Sequence, residues 1–313
     1  MLAIFPLWSK PKKEFLKKYH EKANMAKKGG RGGAVSRKTK GRQEVQSHGS
    51  LPTKADTSMR KALLGDFAFE DAHLYRALRS TFTIYLGNEA TVIVSGEAES
   101  FEPGVEHNMA DRFELNLHIL SNIDPNRPIL VYMASDGGYW EPGMQMFSAI
   151  LACPNPITVL AVRDARSMTS IIPLAADKFL LRPPAQYMFH HGTWGFSGLV
   201  QEGITDFFEL LKTREIMLRV YMSRLNERGR FKELEEKRVR EILERAIEKR
   251  VDVWLDPAEA RRWGFVDGIC NGNLNAVRAT KINEKRRNAM RRILQKKFKY
   301  EDLLKEEVER LGI

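Results

Sequence analysis

Between Ile157 and Ile172 the chain reads Ile-Thr-Val-Leu-Ala-Val-Arg-Asp-Ala-Arg-Ser-Met-Thr-Ser-Ile-Ile, and no other stretch restricts the fold as much. The apolar, β-rich run Ile157 to Val162 is short enough to be a buried strand. Small and polar residues follow it, then Ser167, then a second apolar run. The pattern is a strand, a tight turn and a helix start, with serine at the corner. Such a corner lifts a serine out of the sheet into a cleft. Backbone N–H groups at the helix N-terminus there can face a developing oxyanion. Serine is also a favoured N-cap, so Ser167 taken alone reads as a cap. The flanking chain has to decide between the two.

On both sides, strands alternate with helices. Phe82–Tyr85 and Ala90–Ser95 read as strands around a Gly87-Asn88 turn. Met109–Ile123 has helical apolar spacing at Phe113, Leu117 and Leu120, and the proline-rich run 124–128 ends it. Ile129–Met133 is a short strand that runs into Ala134-Ser135-Asp136-Gly137-Gly138. Pro142–Cys153 reads as a helix, Asp177–Arg182 and Gln186–His190 as strands. The alternation predicts an α/β domain with a largely parallel sheet. In such a sheet the reactive crevice lies beyond the carboxyl ends of the strands, where the Gly137-Gly138 turn and the Ser167 turn both fall. Glycine there lets backbone N–H groups approach a ligand closely, although a Gly-Gly pair is also an ordinary strand-to-helix turn.

Downstream, a glycine-bearing segment from Gly192 to Gly203 leads into a long helix over about Thr205–Arg224. Glu233–Arg250 is a charged helix whose many Glu/Arg partners read as a solvated face. Asp256 before Pro257 is placed to cap the next helix, which leaves Asp252 free. Trp263-Gly264-Phe265-Val266-Asp267 closes the domain with a last short strand. His190-His191 stands at a strand end without further metal-ligand spacing, a weak pattern for zinc.

These features divide the chain into a basic arm over 1–64, a central domain over 65–271 and a charged helical extension over 272–313. The net charge of +11 belongs largely to the arm and to Lys281–Lys299. The arm carries too few apolar residues to order itself and is expected to be largely disordered. Its basic residues suit phosphates of nucleic acid or another acidic surface, or a solvated tail. No aromatic is interleaved after Tyr19 to stack on bases. The extension has amphipathic spacing at Met290, Ile293, Leu294, Leu303, Leu304, Val308 and Leu311. That face suits a neighbouring subunit, a partner or the chain's own domain. Two distant cysteines, Cys153 and Cys270, argue against a disulfide framework and fit a reducing compartment. No apolar run reaches the roughly 20 residues of a membrane span, and Met1–Trp8 lacks the marks of a signal peptide.

Four of these motifs, in this order, resemble the ClpP family of serine peptidases over about Phe82–Ile269. The family's Ser-Pro-Gly-Gly turn is similar to Ser135-Asp136-Gly137-Gly138, and its Ala-Ser-Met-Gly elbow to Arg166-Ser167-Met168-Thr169. Its Met-Ile-His-Gln-Pro strand end is similar to Met188-Phe189-His190-His191-Gly192. Its acid before Phe-Leu-Ser-Ala-Pro-Glu-Ala, then Gly-Leu-Val-Asp, is similar to Asp252–Ala260 and Gly264–Asp267. The resemblance implies a ClpP/crotonase-like repeated ββα spiral with a protruding long helix. It makes Ser167 the nucleophile, His190 the base and Asp252 its orienting acid, with the Gly138 and Met168 N–H groups as oxyanion donors. Chemically the set is coherent, since a serine hydroxyl needs an imidazole to accept its proton and a carboxylate to fix that imidazole. His191 is the fallback base if the register is off by one, because neighbours in a strand face opposite sides.

The resemblance further implies a serine endopeptidase acting on unfolded or delivered polypeptides. It would work in stacked homo-oligomeric rings, with a separate AAA+ ATPase unfoldase and no metal or organic cofactor, in cytoplasm, an organelle or a virion. Some viral head-maturation proteases are similar to the family as well. The chain has no Gly-x-x-x-x-Gly-Lys-Ser/Thr loop of its own. It departs from the family's motifs at Asp136, Arg166 and Thr169, where the family has proline, alanine and glycine. Arg166 is placed to form a salt bridge with Asp136. Pro173 falls inside the helix expected after Ser167, where it removes a hydrogen bond and bends the axis. The helical arm before Asp252 is longer, and the family's unfoldase-docking N-terminal segment has no clear counterpart. The competing functions are a catalytically weak structural ring subunit, a crotonase-type acyl-CoA enzyme, and a nucleic-acid-binding protein on an inactive peptidase core.

Overall fold

The computed structural model describes residues 72, 76–87, 92–94, 97–99, 104–272 and 277–311. The basic arm over 1–64 and Asn88 of the expected turn lie outside the described residues. Every described residue belongs to one compact unit, Pro52–Ile313.

The fold is mixed α/β. Its main sheet has the order β1-β2-β5-β6-β8-β11, from β1 (Ala77–Leu78), β2 (Thr83–Gly87), β5 (Ile129–Ala134), β6 (Ile157–Ala161), β8 (Lys178–Leu181) and β11 (Gly268–Ile269). All neighbours pair in parallel except β1, an antiparallel edge. Parallel strands are buried on both faces and read as continuous apolar runs, as β5 and β6 do. Alternate residues then serve two cores. Ile129, Val131, Met133, Ile157, Val159 and Phe179 enter the large one. Leu130, Leu160 and Leu180 form the smaller one with Cys270 and Val277. A separate antiparallel pair, β3 (Val92–Val94) and β4 (Glu97–Glu99), precedes the helices.

α1 (His107–Ile123) buries Met109, Phe113, Leu117 and Leu120 on one stripe, and the Glu106 carboxylate caps its start by accepting from the Asn108 and Met109 N–H groups. α2 (Trp140–Ala152) follows β5. After Ser167 the chain makes only one α-turn, α3 (Met168–Ile171), and then tightens into a 3₁₀ turn, Ile172–Ala175, that contains Pro173. The proline thus ends the regular helix, as its missing N–H requires.

A second sheet, β10-β9-β7, is built from β7 (Ala165–Arg166), β9 (Tyr187–Phe189) and β10 (Val253–Leu255). The long helix α4 (Val200–Glu227) begins five residues before the expected Thr205. Gly203 sits in its first turn, and the Glu202 carboxylate accepts the Leu199 N–H at 3.0 Å, satisfying a donor the helix leaves open. α5 (Glu236–Arg250) turns Val239, Leu243 and Ile247 inward. Its charges are not only a solvated face: Arg240 bonds Glu215 of α4 at 2.7 Å and Glu244 at 3.2 Å. α6 (Pro257–Trp263) is capped by Asp256, which accepts the Glu259 N–H at 2.8 Å.

The C-terminal segment forms α7 (Glu284–Gln295) and α8 (Tyr300–Leu311), both on the chain's own domain. Arg278 donates to the carbonyls of Thr81, Phe82 and Pro128. Arg287 is fully buried and bonds Asp177 and the carbonyls of Cys153 and Asn155. Arg286 joins Glu227 and Asp267. Through these arginines the segment packs across the amino-terminal ends of β2, β5, β6 and β8. Among the described residues no helix is long and apolar enough to cross a membrane.

Candidate active site

The small sheet collects the three side chains. β7 runs parallel to β9, with Arg166 opposite Met188. β10 runs antiparallel to β9, with Val253 opposite Phe189. The ends of β7 and β9 and the beginning of β10 therefore lie at the same sheet edge. Ser167 comes one residue after β7, His190 one after β9 and Asp252 one before β10. The edge thus brings together residues up to 85 positions apart in sequence. His190 Nε2 lies 2.9 Å from Ser167 Oγ, and His190 Nδ1 lies 3.1 Å from Asp252 Oδ1. The imidazole is mostly buried, while Asp252 is about half exposed.

Ser167 occupies the N-cap position of α3 but its side chain caps nothing. Its hydroxyl turns to His190 instead, with φ +53° and ψ −126°, a region rarely occupied outside glycine. The Ser167 N–H is held by the Met188 carbonyl at 3.2 Å. On the acid side, Val251 has φ +63° and ψ −68°, and the Asp252 N–H bonds the Arg250 carbonyl at 2.8 Å. This is a γ-turn of the rare positive-φ kind. It reverses the chain between α5 and β10 and delivers Asp252 to the imidazole. Strain of this sort persists where surrounding structure enforces it, and it clusters at functional sites.

Gly137 and Gly138 bring the facing turn against the serine corner. A Cβ on Gly137, at φ +101°, would stand 2.8 Å from the Arg166 carbonyl oxygen, 2.8 Å from Ser167 Cβ and 3.1 Å from Met168 N. Gly138 bridges Val105, and that bridge uses the Gly137 carbonyl and the Tyr139 N–H. The Gly138 N–H therefore faces away from Val105. Gly138, Ser167, Met168 and His190 line one open cleft of about 880 Å³. The Asp136 carboxylate pairs with Arg166 at 2.9 Å and Arg163 at 3.0 Å.

His191 does not take the place of its neighbour. Both its ring nitrogens are buried without a hydrogen-bond partner. Burial, with Arg214 and Arg310 nearby, pushes its pKa down to about 3, so it stays neutral. Among the described residues no group of three or more His, Cys, Asp or Glu side chains is arranged to hold a metal ion.

Two parts of the site escaped the sequence reading. One is β7, whose two residues carry no periodic signal. The other is the apolar wall of the cleft, where Tyr139, Trp140, Trp194 and Met217 join Met168 and Ile171. Trp194 stacks with Phe196 and meets Phe207 of α4 edge-on. Aromatics at 194, 196 and 207 around the glycines were the available signal.

The chain is similar to the ATP-dependent Clp protease proteolytic subunit 1 of Chlamydia pneumoniae, 29% identical over 174 residues that cover 54% of this chain and 83% of that protein. The corresponding subunit of Deinococcus radiodurans is 25% identical over 167 residues, 53% of this chain and 76% of its own. That of Protochlamydia amoebophila is 27% identical over 173 residues, 53% and 77%. The family model for Clp protease matches residues 89–273, more than half of the chain, and on that match the chain belongs to the Clp protease family.

Proposed function

We propose that the chain is a serine endopeptidase that hydrolyses peptide bonds of unfolded polypeptides, with Ser167, His190 and Asp252 as its triad. The observation that carries this reading is the continuous line Ser167 Oγ–His190 Nε2–Asp252, with links of 2.9 and 3.1 Å. His190 Nε2 takes the hydroxyl proton as Ser167 Oγ bonds the substrate carbonyl carbon. The carbonyl electron pair moves onto oxygen, where the Gly138 and Met168 N–H groups receive the charge. His190 then returns the proton to the leaving amine, the C–N bond breaks, and an ester remains on Ser167. Water attacks that ester as His190 takes its proton, and His190 then passes the proton to Ser167 Oγ as the C–O bond breaks, freeing the carboxylic acid and restoring the serine hydroxyl. Asp252 holds the imidazole tautomer that makes Nε2 the acceptor.

The relatives are by name proteolytic subunits of an ATP-dependent protease. By extension, the chain works as a subunit of a stacked homo-oligomeric ring, on the ClpP/crotonase-like spiral, fed by a separate ATPase. Labelling with an active-serine phosphonate tests the chemistry. Native protein should gain the mass of one adduct per chain, and Ser167→Ala should gain none. An unlabelled native protein, or equal labelling of both, overturns the reading.

A further inference from the structure

We infer that Thr169 is a positioning residue: its hydroxyl fixes the distance between the nucleophile corner and the oxyanion turn. The inference rests on Ser167 being the nucleophile, and goes beyond it by naming what holds the two turns in register.

Thr169 is completely buried, in the single turn of α3. Its Oγ1 lies 2.8 Å from the Ser135 carbonyl, 2.8 Å from the Arg166 carbonyl, and accepts the Arg166 N–H at 3.1 Å. Ser135 opens the turn that carries Gly137 and Gly138, and Arg166 precedes Ser167. One hydroxyl therefore touches both arms of the site. The Arg166 N–H has no place in the ladder to β9, which uses the N–H groups of Ala165 and Ser167. Thr169 is the acceptor that satisfies it.

This link complements two others between the same turns. Gly137 presses against the Arg166 carbonyl and Ser167 Cβ with no room for a side chain. Outside, Asp136 pairs with Arg163 and Arg166, but those side chains are 33 to 50% exposed, so water weakens the hold. The buried hydroxyl is the stiff tie. Where the resembling motif has glycine after the methionine, no such side chain exists. Here the departures at 136, 166 and 169 act together, as a replacement scaffold.

Thr169→Val keeps the shape and deletes the bonds, leaving the Arg166 N–H and the Ser135 carbonyl buried and unmatched. Thr169→Ser keeps the hydroxyl. The readouts are the rate of phosphonate labelling by mass, kcat and KM on a fluorogenic peptide, and the unfolding temperature. Thr169→Val should label and turn over about 10²-fold more slowly, as a misplaced reacting group does, with KM near that of the native protein and an unfolding temperature lowered by only a few degrees. Thr169→Ser should restore most of the rate. If Thr169→Val does not fold, Thr169→Ala is judged on the same readouts. If neither folds while Thr169→Ser does, the hydroxyl serves the fold at large and the assignment is overturned. It is also overturned if Thr169→Val labels at the native rate, or if folded Thr169→Ser is as slow as Thr169→Val. Unlabelled native protein would sink the nucleophile reading itself, which separates the two failures.

Discussion

In the proposed mechanism Asp252 acts only through His190, which it meets at 3.1 Å, and that sets what its loss should do. Asp252→Asn keeps the volume but offers an amide where the imidazole N–H needs an acceptor, so the wrong tautomer is favoured. In a buried triad that exchange lowers kcat by about 10⁴. Asp252 is about half exposed, and water can partly replace it, so a drop of about 10²-fold is expected in peptide hydrolysis, with KM little changed. Equal rates would show that the carboxylate is a bystander. Gly137→Ala tests the other side of the corner. The new Cβ meets backbone atoms of Arg166 and Met168, which cannot swing away. Hydrolysis should fall about 10²-fold, with a stability loss of about 1–2 kcal/mol from the left-handed backbone. Native turnover by Gly137→Ala would mean that the two turns need not touch. At this scale the local pattern of strand, turn and helix marked only the Ser167 corner; His190 and Asp252 were singled out through the family resemblance, and the small sheet joins them to that corner through links of 2.9 and 3.1 Å. Thr169 was legible only as a departure, because its role depends on Ser135, thirty-four positions away.

Elements were legible in proportion to their length. The apolar runs of β5 and β6 and the stripe of α1 announce themselves, whereas β7 is two residues that exist only because β9 accepts them. The C-terminal extension was the larger surprise. Arginines in a basic amphipathic stretch are expected at the surface, yet Arg286 and Arg287 are buried. Their partners, Asp177, Glu227 and Asp267, are spread over three other segments, which no periodicity connects. The family match stops at residue 273, so α7 is an addition that has become part of the sheet's foundation. Arg287→Met measures how far. It removes the buried charge opposite Asp177 and the donors to two carbonyls, and breaking such a pair costs about 3–5 kcal/mol. Urea unfolding should show a midpoint lowered accordingly with an unchanged slope. A loss of about 0.5 kcal/mol or less, usual for surface changes, would mean that α7 merely rests on the domain.

Across the whole molecule, buried titrating groups on both sides of α4 determine how the protein meets acid. His191 lies against Arg214 of α4 and Arg310 and Glu307 of α8, beside His190. Burial first, then the two arginines, depress its pKa to about 3. Unfolded, it would titrate near 6.5. Between those values the unfolded chain binds a proton that the folded chain refuses, so stability falls as pH drops from about 6.5 towards 3. At the other end, burial alone would raise Asp267, but Arg224 and Arg286 outweigh it and hold its carboxyl well below the usual range. Glu227 is lowered as well, against its own burial, by the same arginines. These carboxylates stabilise the fold above about pH 4 and lose that contribution only below it, when Arg224 and Arg286 are left unmatched inside. Acid should therefore weaken the protein in two steps. His191→Gln removes the first: its urea midpoint should stay level from about pH 6.5 to 4, where that of the native chain declines, and both should fall together below pH 4. Asp267→Asn should be weaker at neutral pH and lose less below pH 4. Parallel curves for the native chain and His191→Gln above pH 4 would exclude the imidazole as the acid-sensitive group and place the early loss elsewhere.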